Sequence, residues 1–253
     1  MQPSTTAAQP VFELNQVSYA YDHQIFALDG VSLVVKPGER LAILGSNGCG
    51  KSTLLKLLDG LYFPTHGSIS AFGRPMDEAQ FIKDEFNFAF RRRVGLVFQD
   101  SEAQLFMPSV WEELTFAPLQ LGFSPEAVRE RAEEALQALN IQKLRQRAPH
   151  QLSGGEKKRV ALGSVLSLMP DVWLLDEPTA GLDPRSVSWL LDFLNDQARA
   201  GKTIVFATHD LEMVAAGADR VYVLDEDHRL AAEGAPGQVL KDTSLLKKVN
   251  LLR

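Results

Sequence analysis

Cysteine is almost missing from this chain of 253 residues: Cys49 stands alone, so no intramolecular disulfide framework can form, and the composition fits a reducing compartment. Excess positive charge is missing too. Lys and Arg total 26 against 32 Asp and Glu, a formal net charge of −6 with a pI near 5.4, which argues against a nucleic-acid binder that relies on overall positive charge. No apolar run approaches the ~20 residues needed to cross a bilayer. The longest, Val160 to Leu175, is broken by Pro170 and Asp171. Residues 1–10 lack the basic start and apolar stretch of a secretory signal and are expected to form a disordered polar tail. No low-complexity tract or internal repeat follows, which disfavours solenoids and propellers. The 5 histidines and the cysteine are scattered without metal-ligand spacing.

What remains is a composition 45% hydrophobic and 23% charged, sufficient for a substantial core. Five short apolar runs read as strands buried on both faces: Leu41 to Leu44, Val94 to Phe98, Val172 to Leu175, Thr203 to Ala207 and Val221 to Leu224. Helical stretches fall between them, Lys51 to Leu58 ending at Gly60 and Ser153 to Met169 ending at Pro170. This is an α/β pattern with a mainly parallel sheet. Val11 to Val35 and Gly67 to Phe72, with turns at Asp22-His23 and Asp29-Gly30, suit an antiparallel β subdomain. Between Glu112 and Pro149 no buried strand is found. Ser124-Pro125-Glu126 starts a helix there, and Val128, Ala132, Ala135, Leu136 and Leu139 share one face. The reading is one domain over 11–253 with an inserted helical subdomain at about 100–160.

Gly45-Ser46-Asn47-Gly48-Cys49-Gly50-Lys51-Ser52-Thr53 lies between a predicted strand and a predicted helix, the context a phosphate-binding loop requires. Its glycines let backbone N–H groups turn inward around phosphate oxygens, and the helix presents its positive end. Lys51 adds a charge at the β- and γ-phosphates, and the Ser52 hydroxyl can ligate Mg²⁺. The run Val172 to Leu175 ends in Asp176-Glu177, which delivers two carboxylates to the crevice where α/β sheets bind ligands. Asp176 suits the Mg²⁺ shell and Glu177 suits the general base for an attacking water. Cys49 reads as a tolerated small residue, although a helix N-terminus lowers thiol pKa. Arg91-Arg92-Arg93 reads as a solvated face, with lipid headgroups or an acidic partner as the alternative.

With Leu152-Ser153-Gly154-Gly155-Glu156 added, the chain resembles an ATP-binding cassette (ABC) ATPase, and the order of motifs spans nearly its whole length. The resemblance implies the P-loop ABC ATPase fold and ATP with Mg²⁺ at the site. It further implies that ATP is sandwiched between two chains, with Ser153, Gly154, Gly155 and Glu156 of one facing the γ-phosphate held by the other. Glu156 replaces the commoner Gln of that signature and is expected to tune activity. By the same resemblance Tyr21, with Tyr19 as competitor, stacks on adenine, and Gln99 touches Mg²⁺ and relays nucleotide state. Asp183, in Ala180-Gly181-Leu182-Asp183, communicates across the dimer, and His209 hydrogen-bonds the γ-phosphate.

The stretches Phe98 to Phe106, Pro108 to Pro118 and Pro149 to Ala161 resemble the energy-coupling-factor branch of these transporters. Asp84 to Arg93 most resembles the cobalt/nickel-type ATPase subunit. The implied protein is a peripheral subunit on the cytoplasmic face of the cell membrane, a homodimer or a heterodimer with a related ATPase. Its partners are an integral membrane coupling protein and a substrate-binding membrane protein, with no nucleic acid. It powers uptake of cobalt or nickel; a vitamin is the alternative solute, and a soluble assembly ATPase the alternative class. No long coiled coil or second cassette is present to favour the latter, and Glu177 and His209 are both retained.

Overall fold

A computed structural model describes residues 9–22 and 25–252. Most of the expected N-terminal tail, and His23 of the first expected turn, lie outside the described residues. The chain opens with β1 (Phe12–Tyr21), β2 (Ile25–Val35) and β3 (Arg40–Leu44), followed by α1 (Lys51–Leu58). Then come β4 (His66–Ala71), β5 (Arg74–Pro75), α2 (Glu78–Phe81), α3 (Asp84–Arg91) and β6 (Val94–Val97). A helical stretch holds α4 (Ser101–Gln104), α5 (Val110–Gln120), α6 (Pro125–Ala138) and α7 (Gly154–Leu166). The last part is β7 (Val172–Asp176), α8 (Pro184–Arg199), β8 (Thr203–Thr208), α9 (Leu211–Gly217), β9 (Arg220–Leu224), β10 (Leu230–Gly234), α10 (Pro236–Val239) and α11 (Thr243–Lys248).

The strands form a four-stranded antiparallel sheet in the order β2-β1-β4-β5 and a six-stranded sheet in the order β10-β9-β3-β8-β7-β6. In the latter only β10 runs antiparallel. The five apolar runs are the parallel strands of this sheet, four of them interior and β6 at its edge, in keeping with their lack of polar alternation. Their two-residue period sorts them between two cores. Ala42, Leu44, Trp173, Leu175, Ile204, Phe206, Val221 and Val223 pack towards α5 to α9, whereas Leu41, Ile43, Val172, Leu174, Val205 and Leu224 pack towards α1 and the antiparallel sheet. Among the described residues, no helix is long and apolar enough to cross a membrane.

One local expectation is corrected and a second is refined. Asp29-Gly30 is not a turn: β2 runs through it, and Gly30, at φ 62°, sits where the register with β1 shifts. A glycine inside a strand pattern marks a bulge as readily as a turn. The arginine run is solvated at Arg92 and Arg93, as expected, but Arg91 is half-buried and all three side chains have specific partners. Arg91 donates to the Asp59 carbonyl at 2.6 Å and its carboxylate at 2.8 Å, Arg92 donates to the Leu121 carbonyl, and Arg93 pairs with Asp171 at 2.8 Å while covering the Phe72 ring. Three consecutive side chains leave the C-terminal end of α3 in three directions, each towards a different element.

Asp59 is buried at the end of α1, and burial pushes its carboxyl from an ordinary 3.8 up to about 6, outweighing the attraction of Arg91. The folded form holds this proton more tightly than the unfolded chain. The contribution of Asp59 to stability is thus largest below about pH 4 and is lost as pH rises through about 6. Measured by urea unfolding against the non-titrating variant Asp59→Asn, the protein should lose relative stability across that window. The opposite slope would mean that the Arg91 pairing outweighs burial.

Candidate functional site

Four loops meet along one edge of the main sheet because β3, β8, β7 and β6 are parallel and adjacent in that order. Residues 45–50 leave β3, His209 leaves β8, Glu177 leaves β7 and Phe98-Gln99 leave β6. Gly50 caps α1 at φ 107°, and a β-carbon there would lie 2.1 Å from the Ala27 carbonyl oxygen, so only glycine lets the loop press against β2. Lys51 is buried, and its Nζ donates back to the carbonyls of Gly45 at 2.9 Å and Ser46 at 3.0 Å.

The same ammonium lies 3.2 Å from Glu177 Oε1. Glu177 sits at φ 40°, a strained conformation for a side-chain-bearing residue that turns the strand end into the cleft. Its Oε2 accepts from the Thr208 hydroxyl at 3.1 Å, and its Oε1 is 3.0 Å from His209 Nδ1. One carboxylate thus gathers the phosphate-loop lysine and the histidine of the neighbouring strand. Asp176 is also buried, and burial pushes its carboxyl above the usual range despite the neighbouring Ser52 hydroxyl. Its Oδ1 has no hydrogen-bond partner. A buried, unsatisfied carboxylate oxygen beside a serine hydroxyl is a hard oxygen donor set that fits Mg²⁺.

A cleft of about 390 Å³ is lined by Tyr21, Asn47, Gly48, Gly50, Lys51, Ser52, Thr53, Gln99 and Glu177. Tyr21 is anchored by its hydroxyl to Thr53 Oγ1 at 2.9 Å, whereas Tyr19 lies outside the cleft, stacked on Tyr62. Ile25, Phe26, Ala27 and His228 also line the cleft, and the sequence reading missed them. No local motif marks these positions: Ile25 to Ala27 lie in β2, paired with the neighbouring β1, His228 lies between β9 and β10, and packing against the loop after β3 brings them to the cleft. Lys158 was missed as well. It is buried, its Nζ donates to the Gln99 carbonyl at 3.1 Å, and burial pulls its pKa down. A lysine among the apolar residues of α7 was the available signal.

Ser153 to Glu156 do not line this cleft. They form the start of α7, with Ser153 and Gly154 exposed and Gly155 and Glu156 half-buried; Ser153 is the N-cap and Glu156 completes a capping box. Asp183 is exposed and caps α8, accepting from the Arg185 and Ser186 amides at 3.0 Å each and from the Ser186 hydroxyl at 2.8 Å. The Ser186 hydroxyl in particular holds its carboxyl below the usual range. The residues expected to act within one chain are together, and those expected to act across a dimer are elsewhere on the surface.

Fold and site define a P-loop nucleotide hydrolase. The chain belongs to the ATP-binding proteins of ABC transporters: the family model described as ABC transporter matches residues 28–180. It is therefore an ATP-binding, ATP-hydrolysing cassette. It is 51% identical to the nickel import ATP-binding protein of Rhodobacter capsulatus, over 96% of both chains. The cobalt import ATP-binding protein of the same organism is 47% identical, over 96% of this chain and 85% of the relative. Energy-coupling factor ATP-binding proteins are also among its relatives. Among solved structures, cbiO1 of Clostridium perfringens, part of the ABC transporter complex cbiONQ, is 37% identical with a TM-score of 0.81, covering 96% of this chain and 95% of that one. A bacterial ABC transporter cassette solved as a dimer is 29% identical with a TM-score of 0.78, covering 89% and 98%.

Cys49 is buried, and desolvation pushes its thiol up, outweighing the pull of Lys51. Maleimide should modify it in the native protein at less than about a tenth of the rate seen after unfolding. Equal rates would show an accessible thiolate in the loop.

Proposed function

We propose that the chain is the ATPase subunit of an energy-coupling-factor importer that takes up cobalt or nickel through membrane partners. The observation that carries the catalytic part is the convergence of Lys51, Ser52, Asp176, Glu177 and His209 on one edge of the sheet. Gly45 to Thr53 cradle the phosphates, Tyr21 stacks on the adenine, and Ser52, Gln99 and Asp176 would hold Mg²⁺. That ion, when bound, neutralises charge on the β- and γ-phosphates. Glu177 takes the proton of the attacking water as its oxygen adds in line to the γ-phosphorus and the ADP oxygen leaves. Before this, Lys51 must exchange Glu177 for the phosphates, which frees the carboxylate to act as base. His209 then donates to the γ-phosphate from a ring already aligned by Glu177.

The nucleotide site is completed in trans by Ser153, Gly154 and Gly155 of a second chain, a copy or a related ATPase, with Glu156 beside them and Asp183 at the seam. Two observations support this: Ser153 and Gly154 are exposed away from their own phosphate loop, and a relative of like fold is dimeric. A membrane-embedded partner docks beside the glutamine loop. A largely apolar groove of about 380 Å³ supports this reading; it runs between β6 and the helices, lined by Leu61, Phe98, Phe106, Phe116 and Leu168, with Phe106 64% exposed. The peripheral, cytoplasmic-face location follows from that docking. The solute reading rests on the nickel and cobalt import relatives, and selectivity would reside in the membrane partner, since the described residues hold no metal-binding cluster of His, Cys and carboxylates.

Binding and chemistry should separate by mutation. Lys51→Ala should abolish ATP binding, while Glu177→Gln should retain binding and lower turnover by on the order of 10²–10⁴. Hydrolysis at the parental rate by Glu177→Gln would remove it as base. Ser153→Arg should bind ATP but not hydrolyse it, and mixing it with Lys51→Ala chains should recover activity, because a mixed dimer keeps one composite site intact. No recovery in proven mixed dimers would count against the shared site. In vesicles with its membrane partners, the protein should drive ATP-dependent uptake of labelled Ni²⁺ or Co²⁺, abolished by Glu177→Gln. Vitamin uptake without metal uptake would overturn the solute while leaving the ATPase assignment standing.

A further inference from the structure

The start of α7 carries a Ser-Gly-Gly segment, exposed at Ser153 and Gly154, with the helix dipole behind it, an arrangement that favours an anion. In this chain the serine hydroxyl already has a partner. Ser153 Oγ donates to Glu156 Oε2 at 2.9 Å, and the Ser153 amide donates to the same oxygen at 2.8 Å. A hydroxyl has one proton. With that proton directed at Glu156, Ser153 offers an incoming phosphate oxygen only lone pairs, and the carboxylate sets a like charge beside the anion's place. Arg147 and Arg159 stand near enough to lower the Glu156 pKa further, adding to the effect of the two Ser153 bonds.

We propose that Glu156 is a positioning residue that latches the signature serine: its carboxylate holds the Ser153 hydroxyl proton and must release it before Ser153 can bind the γ-phosphate of the partner chain's ATP. The inference rests on the shared-site reading above and adds an opposing term to dimer closure. A glutamine at this position reverses the polarity. Its amide oxygen can still accept from the Ser153 backbone N–H, so the helix stays capped, while its amide N–H can donate to Ser153 Oγ and free the hydroxyl proton to face outward. The charge beside the phosphate disappears as well. The latch therefore makes the closed dimer less stable and its reopening after hydrolysis easier.

The test uses the Glu177→Gln protein, in which ATP is not turned over, and measures its ATP-dependent dimer dissociation constant by analytical ultracentrifugation. Adding Glu156→Gln should lower that constant by about tenfold, with the thermal midpoint unchanged. The gain should shrink in high salt, as expected of a screened repulsion. Glu156→Ala removes both charge and cap. It should also tighten the dimer while lowering the thermal midpoint, so the two readouts move in opposite directions, as loss of a merely structural cap would not make them. A dissociation constant within twofold of the parent, or a weaker dimer, in either variant overturns the latch. If Glu177→Gln fails to dimerise with ATP at all, the shared site fails and the latch falls with it; dimerisation that is indifferent to Glu156 removes the latch alone.

Discussion

The loops that form the polar side of the nucleotide cleft depend on the parallel pairing of four adjacent strands. Leu44 pairs with Thr208, Asp176 with Ala207 and Val97 with Leu175, so the carboxyl ends of β3, β8, β7 and β6 finish side by side. The ladder continues into the loops: the Gly45 amide donates to the Thr208 carbonyl and the Glu177 amide to the Ala207 carbonyl. A slip of one residue in any pair would turn Leu44, Thr208 or Asp176 to the other face and exchange core for site. Such a slip is costly at the strand ends, where buried Thr208 and Asp176 would be turned into the apolar core and lose the groups that face them.

The site joins groups that the interior tolerates only together. Lys51 and Glu177 are each about 5% exposed, and a buried charge left alone costs several kcal/mol. Their pairing, with Thr208 and His209 completing the carboxylate's hydrogen bonds, offsets that cost. Asp176 is less well satisfied, with one oxygen lacking a partner. The cleft thus pairs its buried lysine with its buried glutamate and leaves one buried carboxylate oxygen without a partner beside the Ser52 hydroxyl.

The helical part is tied to this edge by polar contacts rather than by apolar packing alone. The Gln104 side chain accepts from the Phe98 amide and donates to the Ala161 carbonyl and the Ser164 hydroxyl, and Lys158 reaches the carbonyls of Phe98 and Gln99. These bonds join the loop after β6 to α7, the helix whose exposed end carries Ser153.

The sequence by itself determined the elements and the chemistry that is local. Continuous apolar runs named the buried strands, the glycine spacing before Lys51 named the phosphate loop, and Asp176-Glu177 at a strand end named the acids, because each depends on backbone preference or burial within a few residues. It did not determine that Asp29-Gly30 is a bulge, since a glycine's φ is chosen by the strand beside it. Nor did it reveal the partners of Arg91, Arg92 and Arg93, which belong to segments far along the chain. Only the tertiary structure decided that Tyr21 and not Tyr19 faces the cleft, that His228 joins it, and that Ser153 lies outside it with its hydroxyl bound to Glu156. The physical reason is the same throughout: periodicity reports which face of an element is buried, whereas the partner of a polar side chain is set by which distant elements the sheet brings together.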